Sequence, residues 1–241
     1  MKTLVAWSSG KDSAWMLHRL RQTRPDAVAG LMTTMNEAAG RVAMHAVRED
    51  LLRAQAAALG LPLHLVPIPS PCPNEIYQAR MAAFVRSAVA GGFTHVAFGD
   101  LFLEDVRRYR EDSLRGSGLE PLFPLWGEPT AALARQIVGA GVRAYLTCVD
   151  PRAIDRGFVG RPYDGSLLAD LPATADPCGE NGEFHTFVWD GPMFRQPIPV
   201  APGVIVERDG FVFADLVEAT EPDSARVSQS ADSGPSARRT C

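Results

Sequence analysis

The turn Ser8-Ser9-Gly10-Lys11-Asp12-Ser13 limits what this chain can fold into more than any other stretch. It is entered from the apolar run Thr3-Leu4-Val5-Ala6-Trp7, which has the texture of a buried strand. It is left through residues 12–22, where Met16, Leu17 and Leu20 fall near one helical face. A strand, a turn of small residues and a helix N-terminus make an anion site. The first amides of the helix have no intrahelical acceptor, and they sit at the positive end of its dipole. Ser8, Ser9 and Gly10 let the backbone approach phosphate oxygens, Ser9 and Ser13 can add hydroxyl donors, and Lys11 supplies a compact charge. The stretch reads as a phosphate loop.

It is not a Walker A loop, which requires G-x-x-x-x-G-K-[ST]; here Lys11 is followed by Asp12, and no glycine lies five residues before Gly10. The stretch resembles instead the S-G-G-K-D-S loop of the ATP pyrophosphatases. That resemblance implies binding of the β,γ-diphosphate of ATP and cleavage between its α and β phosphates. Ser9 stands at a glycine of that pattern. The plainer alternative is an ordinary strand–helix turn carrying a solvated lysine.

Downstream, strands alternate with helices. Residues 27–35, 63–68 and 94–98 read as strands and 48–59, 74–90 and 104–115 as helices, with Asn74 as a cap and Gly60 and Gly91-Gly92 as stops. The alternation predicts an α/β fold: a parallel sheet with right-handed crossovers, whose ligands bind beyond the carboxyl ends of the strands. Gly99-Asp100 ends the fourth strand on that edge, where Asp100 holds Mg²⁺ or positions substrate, or else caps the next helix. Residues 32–35 end the second strand where adenine or ribose would rest, and His45 follows in a loop. His18, His64 and His95 read as structural. Arg107, Arg108 and Arg110 cluster with Glu111. Arginines there would stabilise charge on departing pyrophosphate, or form a solvated face; Arg110 is the one taken as a nucleotide-binding candidate.

The texture changes after residue 115. Residues 116–124 read as a loop, 128–140 as a helix ended by Gly141, and 142–149 as a strand, while 150–177 show little order apart from 165–171. Residues 204–206 and 211–217 read as strands joined by the hairpin signal Arg208-Asp209-Gly210. The chain thus divides into a nucleotide-binding domain over 1–127, a smaller α+β substrate domain over 128–220, and a tail over 221–241 whose Ser, Ala, Asp, Arg and Pro content reads as disordered. The second domain is most informative at Cys178-Gly179-Glu180-Asn181-Gly182-Glu183-Phe184-His185-Thr186-Phe187-Val188, a turn followed by an alternating strand. Carboxylates there could bind ammonium or take a proton from it, and Asn181 could orient a substrate carboxylate or amide. His185 is a general base or only a strand residue.

Composition excludes several classes. A net charge of −4 argues against a general nucleic-acid binder, and 46% hydrophobic with 22% charged residues is an ordinary globular balance. No apolar run reaches transmembrane length, and the first residues lack the layout of a signal peptide. Cys72, Cys148, Cys178 and Cys241 are scattered with no C-x-x-C pair, which reads as reduced thiols in a cytoplasmic protein.

The loop at 8–13, Gly99-Asp100, Pro124-Leu125-Trp126 and Gly-Glu-Asn-Gly-Glu-Phe-His-Thr at 179–186 together resemble the diphthine–ammonia ligase family of ATP pyrophosphatases, over nearly all of residues 1 to about 220. The resemblance implies a HUP-type, Rossmann-like nucleotide domain paired with a smaller C-terminal domain, and a cleft that holds substrate. It implies that a substrate carboxylate attacks the α-phosphate of ATP, pyrophosphate leaves, and ammonia displaces AMP to form an amide. ATP and Mg²⁺ are the expected cofactors. Ser8, Ser9, Gly10, Lys11, Asp12 and Ser13 would bind phosphates beside Asp100 and Arg110, with Lys11 and Asp12 also catalytic. Glu180, Asn181, Glu183 and His185 would face the acyl substrate or ammonia. Ser9 and residues 101–109, where a Tyr-Gln segment is typical, match a bacterial-looking branch. Diphthamide belongs to archaeal and eukaryotic elongation factor two, so such a branch would need another acid. Expected partners are ATP, ammonium and a carboxylate-bearing substrate, small or protein-borne; no membrane or nucleic acid is expected, and homo-oligomerisation stays open. Two other readings remain: a sulfurtransferase acting on an adenylated tRNA base, with Cys178 as its sulfur carrier, and an adenine-nucleotide sensor without turnover.

Overall fold

A computed structural model describes residues 1–37, 40–42 and 47–219 of the chain; His45 and the tail expected over 221–241 lie outside them. The first apolar run forms β1 (Thr3–Ala6), where Leu4 and Val5 are fully buried, as a strand covered on both faces must be. Helix α1 (Lys11–Thr23) turns Met16, Leu17 and Leu20 inward. There follow β2 (Val28–Asn36), β3 (Arg41–Val42), α2 (Glu49–Leu59), β4 (Leu63–Ile68), α3 (Asn74–Ala90), β5 (His95–Ala97), α4 (Glu104–Leu114) and β6 (Glu120–Leu122). The parallel strands run in the order β4-β2-β1-β5-β6, with β3 adding an antiparallel pair at the end of β2. From β1 the chain builds first to one side, through β2 and β4, and then to the other, through β5 and β6. The switch point between β1 and β5 is where such sheets open a ligand crevice.

Two local expectations are corrected. Residues 116–124 are not all loop: Glu120, Pro121 and Leu122 pair with His95, Val96 and Ala97 as an edge strand. Three residues with a central proline carry no periodicity; the open edge of β5 makes them a strand. Asn74 does not cap α3. The helix starts on Asn74 itself, with Pro73 at the cap position and no side-chain cap bond.

The C-terminal part is smaller and antiparallel. Helix α5 (Thr130–Gly139) precedes β7 (Arg143–Val149), α6 (Gly165–Asp170), β8 (Phe184–Asp190), β9 (Val200–Arg208) and β10 (Phe211–Glu218), in the sheet order β8-β7-β10-β9. Asp209 and Gly210, at φ 54° and 80°, form the two-residue β9–β10 hairpin expected from their chemistry. One apolar core is continuous through both sheets, from Val5, Trp7 and Leu17 past Leu101 and Leu133 to Leu146, Phe187 and Leu216. A smaller cluster with Leu4, Val66, Phe93, Val96 and Leu114 lies on the other face of the first sheet. No helix among the described residues is long and apolar enough to cross a membrane.

Candidate functional site

The phosphate loop leaves the carboxyl end of β1, and its first bend is Ser9 at φ 74°, the left-handed region that favours glycine. Ser9 is fully buried, and its hydroxyl has no partner among the described residues. Its carbonyl accepts from the Val188 amide at 2.9 Å and from Gln55 Nε2 at 3.1 Å. Gln55, fully buried on α2, also accepts from Trp7 Nε1 at 2.8 Å and donates to the Val188 carbonyl at 2.6 Å. The back of the loop is thus tied to β8. Gly10 caps α1, and a Cβ on it would lie 3.2 Å from the Thr186 carbonyl oxygen. Thr186 Oγ1 in turn accepts the Lys11 amide at 3.1 Å. On the open side, Ser8 Oγ donates to Ser13 Oγ at 3.2 Å and Ser13 Oγ to the Gly10 carbonyl at 2.9 Å. The amides of Asp12 and Ser13 belong to the first helical turn, where no intrahelical acceptor exists.

Lys11 is buried with its Nζ 2.9 Å from Asp12 Oδ2, on the Cys178 carbonyl, and above the rings of Phe184 and Tyr163 at 5.3 and 5.4 Å. Burial alone would push its ammonium down, but the Asp12 carboxylate outweighs it, with help from Asp176, and holds the group above its ordinary value. Burial pushes the Asp12 carboxyl up, with Lys11 opposing. Tyr163 beneath them donates its hydroxyl to the Pro177 carbonyl at 2.8 Å.

Across the switch point, Gly99 lets the end of β5 approach α1: a Cβ there would meet the Asp12 carbonyl carbon at 3.2 Å. Asp100 does not cap α4, whose cap position is Leu103 with no side-chain bond. It holds Arg110 by two bonds, Nε to Oδ2 at 2.6 Å and Nη2 to Oδ1 at 3.0 Å, and the guanidinium lies 4.3 Å above Phe98. Arg107 instead pairs with Glu111 at 2.7 Å and stacks on Phe123 and Trp126.

The turn at 176–183 supplies the third wall. Glu180 Oε1 accepts the Leu101 amide at 2.7 Å, and the Glu180 amide donates to Asp176 Oδ2 at 2.9 Å. Burial, then the carboxylates of Asp12 and Asp100, push the Glu180 carboxyl up to about 7 against the Leu101 bond and Lys11. His185 is pushed down to about 4 by burial and by Lys11, so its imidazole is neutral at physiological pH.

These walls enclose a cavity of about 320 Å³. Ser8, Lys11, Asp12, Ser13, Asp100, Arg110, Glu180 and His185 line it together. Ser9, Gly10, Asn181 and Glu183 do not. Ser9 and Gly10 form the back of the loop. Asn181 and Glu183, expected to face substrate, have another job. The Glu183 carboxylate, 5% exposed, turns into its own loop and accepts from the Asp176 amide at 2.8 Å and from the Asn181 amide and side chain at 3.0 Å each. A carboxylate with three N–H donors holds the turn that presents Glu180. Met32, Thr33 and Thr34 line the cavity as expected, whereas Met35 is in the core. Sequence reasoning missed Tyr77, Met81 and Phe98 on the cavity wall, Thr186, which both lines the cavity and braces the loop, and Gln55 behind it. None carries a local signal, because each acts across the fold. Cys178 is buried, its Sγ donates to the Thr130 carbonyl at 3.5 Å, and burial raises its thiol to about 12. That is the reverse of what a sulfur carrier needs.

For Mg²⁺ the donor set fits in a limited way. No group of three or more His, Cys, Asp or Glu converges among the described residues, so an Mg²⁺ ion there would have to take most of its ligands from water and phosphate oxygens. Asp12 Oδ1 is buried with no partner among the described residues, while both oxygens of Asp100 are engaged by Arg110. Asp12 is therefore the freer of the two hard donors.

Comparison with known proteins gives a consistent result. A family model described as the diphthamide synthase N-terminal domain matches residues 1–121, and one described as the diphthamide synthase C-terminal domain matches residues 129–214. The chain is 29% identical over 120 residues to a diphthine–ammonia ligase of Bos taurus, covering 47% of this chain and 45% of that protein. It is 28% identical over 120 residues to the Homo sapiens protein of the same name, with the same coverage, 47% and 45%. For that of Schizosaccharomyces pombe the figures are 28% over 116 residues, 46% of this chain and 19% of that protein. The chain matches less than half the length of these relatives.

Proposed function

Because the chain belongs to the diphthamide synthase family, we propose that it is an ATP-dependent ligase that activates a carboxylate as its adenylate and transfers the acyl group to ammonia. The observation that carries this reading is the convergence, at one switch point, of a helix N-terminus with Lys11, an Arg110–Asp100 pair and Glu180 from the other sheet. In the first step a carboxylate oxygen bonds to the α-phosphorus, the α–β bridging bond breaks, and pyrophosphate departs. The amides of Asp12 and Ser13 and the hydroxyls of Ser8 and Ser13 cradle its oxygens, and Lys11 and Arg110 offset the charge that develops. Mg²⁺, held through the unengaged Asp12 Oδ1, would supply further neutralisation of phosphate charge when bound. In the second step ammonia attacks the acyl carbon and AMP leaves. Glu180, poised near neutrality, accepts the proton that the attacking nitrogen sheds. Neutral His185 holds a substrate polar group without competing for phosphate.

The test is product analysis of ATP incubated with the full chain, Mg²⁺, ammonium and a pool of carboxylic acids. AMP and pyrophosphate, formed only when an acid is present, support the reading, and the acid that stimulates names the substrate. Lys11→Met should lower AMP formation by about a hundredfold or more, the scale of losing a preorganised charge at a transferring phosphoryl group. ADP and phosphate, or tight ATP binding with no turnover, overturn the ligase and leave a kinase-like activity or a sensor. The buried, neutral Cys178 thiol counts against sulfur transfer.

A further inference from the structure

A second cavity opens beside the first. It is the larger, about 670 Å³ against about 320 Å³, and lies between α3 and α4. Tyr77, Met81, Phe98 and Arg110 line both, so the two are continuous, and the Arg110–Asp100 pair stands at the junction. Beyond the junction the α3 wall follows the helix period through Met81 and Val85, with Ala82 beside them, and Ser113 faces from α4. The two helices put little of themselves into the fold: α3 buries only Val85 and Ala88, and α4 only Leu114. Their facing sides are left to form a groove. From Tyr77 at the junction to Arg86 at the far end it runs about 13 Å at the rise of an α-helix. Arg86 is exposed and has no ion-pair partner among the described residues.

The contrast between the walls carries the assignment. The nucleotide cavity is lined by Lys11, Asp12 and Glu180, which suits phosphate and ammonia. The groove offers Tyr77, Met81 and Val85 to an apolar body, with polar Gln78, Asp112 and Ser117 also on its walls. It meets the nucleotide cavity at the Arg110 guanidinium, whose Nη1 is not used by Asp100 and suits a carboxylate. We propose that the groove receives the acyl substrate, a carboxylic acid with an extended, largely apolar stem, its carboxylate at Arg110 facing the nucleotide and its stem between α3 and α4. The inference rests on the ligase reading for the chemistry at the carboxylate, and on the groove alone for the choice of acid. Compact acids leave most of this volume unfilled.

The test uses the full chain and three probe acids, acetate, hexanoate and phenyloctanoate, with binding followed by calorimetry and turnover by AMP release. Affinity should rise with stem length, with phenyloctanoate bound at least about tenfold more tightly than hexanoate, as burial of several further methylenes requires. Ala82→Trp, and independently Ser113→Trp from the opposite wall, should abolish that gain while the ATP dissociation constant stays within about twofold, which also reports an intact fold. Equal affinity for all three acids, or a gain that survives both tryptophans, overturns the groove assignment whatever the turnover. Failure of all three acids to bind overturns it too, in favour of a protein-borne carboxylate. Stem-dependent binding lost in both variants, but with no AMP formed, keeps the groove as an acid site and removes the ligase reading.

Discussion

At the scale of single residues the site sets two titrations against each other. The Glu180 carboxyl is raised from an ordinary 4.5 to about 7, so its contribution to stability is fully present below 4.5 and is lost as pH rises through about 7. The His185 imidazole is lowered from 6.5 to about 4, so its contribution is present above 6.5 and is lost as pH falls through about 4. Between 4.5 and 6.5 the two slopes oppose. Glu180→Gln removes one of them, so the variant's melting temperature should fall more steeply on acidification across that window than the wild type's. Thermal melts followed by circular dichroism at stepped pH check this, and parallel slopes would mean that Glu180 titrates as it does in the unfolded chain. In turnover the same variant should lose the rise in rate through about pH 7 that an ionising base produces. Both residues were legible as candidates from the turn and strand they occupy. Their protonation was not, because it comes from burial and from Lys11, Asp12 and Asp100 brought over from the other sheet.

At the scale of elements, the turn at 176–183 is a small polar structure held from inside by Glu183. Glu183→Ala leaves the Asp176 and Asn181 amides without their acceptor, and the buried Asp176 amide cannot turn to water. The change should cost about 1–3 kcal/mol of stability, the range for stranding a buried donor of a charged acceptor. On the proposed ligase reading it should also lower kcat for amide formation while ATP affinity, which that reading assigns to the loop before α1, changes little. Denaturant titration and separate measurement of ATP binding and turnover check both parts; loss of ATP binding with unchanged stability would place Glu183 in the nucleotide pocket. The residue type and spacing marked this stretch as special, but a carboxylate that faces a substrate and one that faces its own backbone have the same sequence. The edge strand β6 was hidden for a related reason, since Glu120, Pro121 and Leu122 are a strand only because β5 lies beside them.

At the scale of the molecule, the two sheets share one core and several cross-bonds. Val188 donates to Ser9, Lys11 to Thr186, Leu101 to Glu180, and Arg195 to the Ala58 carbonyl at 2.9 Å. The chain should therefore unfold in a single transition, seen alike by far-ultraviolet circular dichroism and tryptophan fluorescence, because neither sheet can leave without opening the other's core. ATP at about a hundred times its dissociation constant should add about 2.7 kcal/mol to that one transition. Two separated transitions, with only the first shifted by ATP, would show that the sheets fold independently. The sequence by itself determined the strand–turn–helix at residues 3–23, the alternation behind it, and so a parallel sheet with a candidate crevice at its carboxyl edge. Periodicity and turn chemistry are properties of neighbours along the chain, and neighbours are what a sequence displays. Only the tertiary structure decided that Glu183 looks inward, that Gln55 and Thr186 brace the loop, that Asp100 grips Arg110, and that a groove lies open between α3 and α4. Each of these depends on direction, burial or contact between distant residues, and such quantities take values only when the chain is closed on itself.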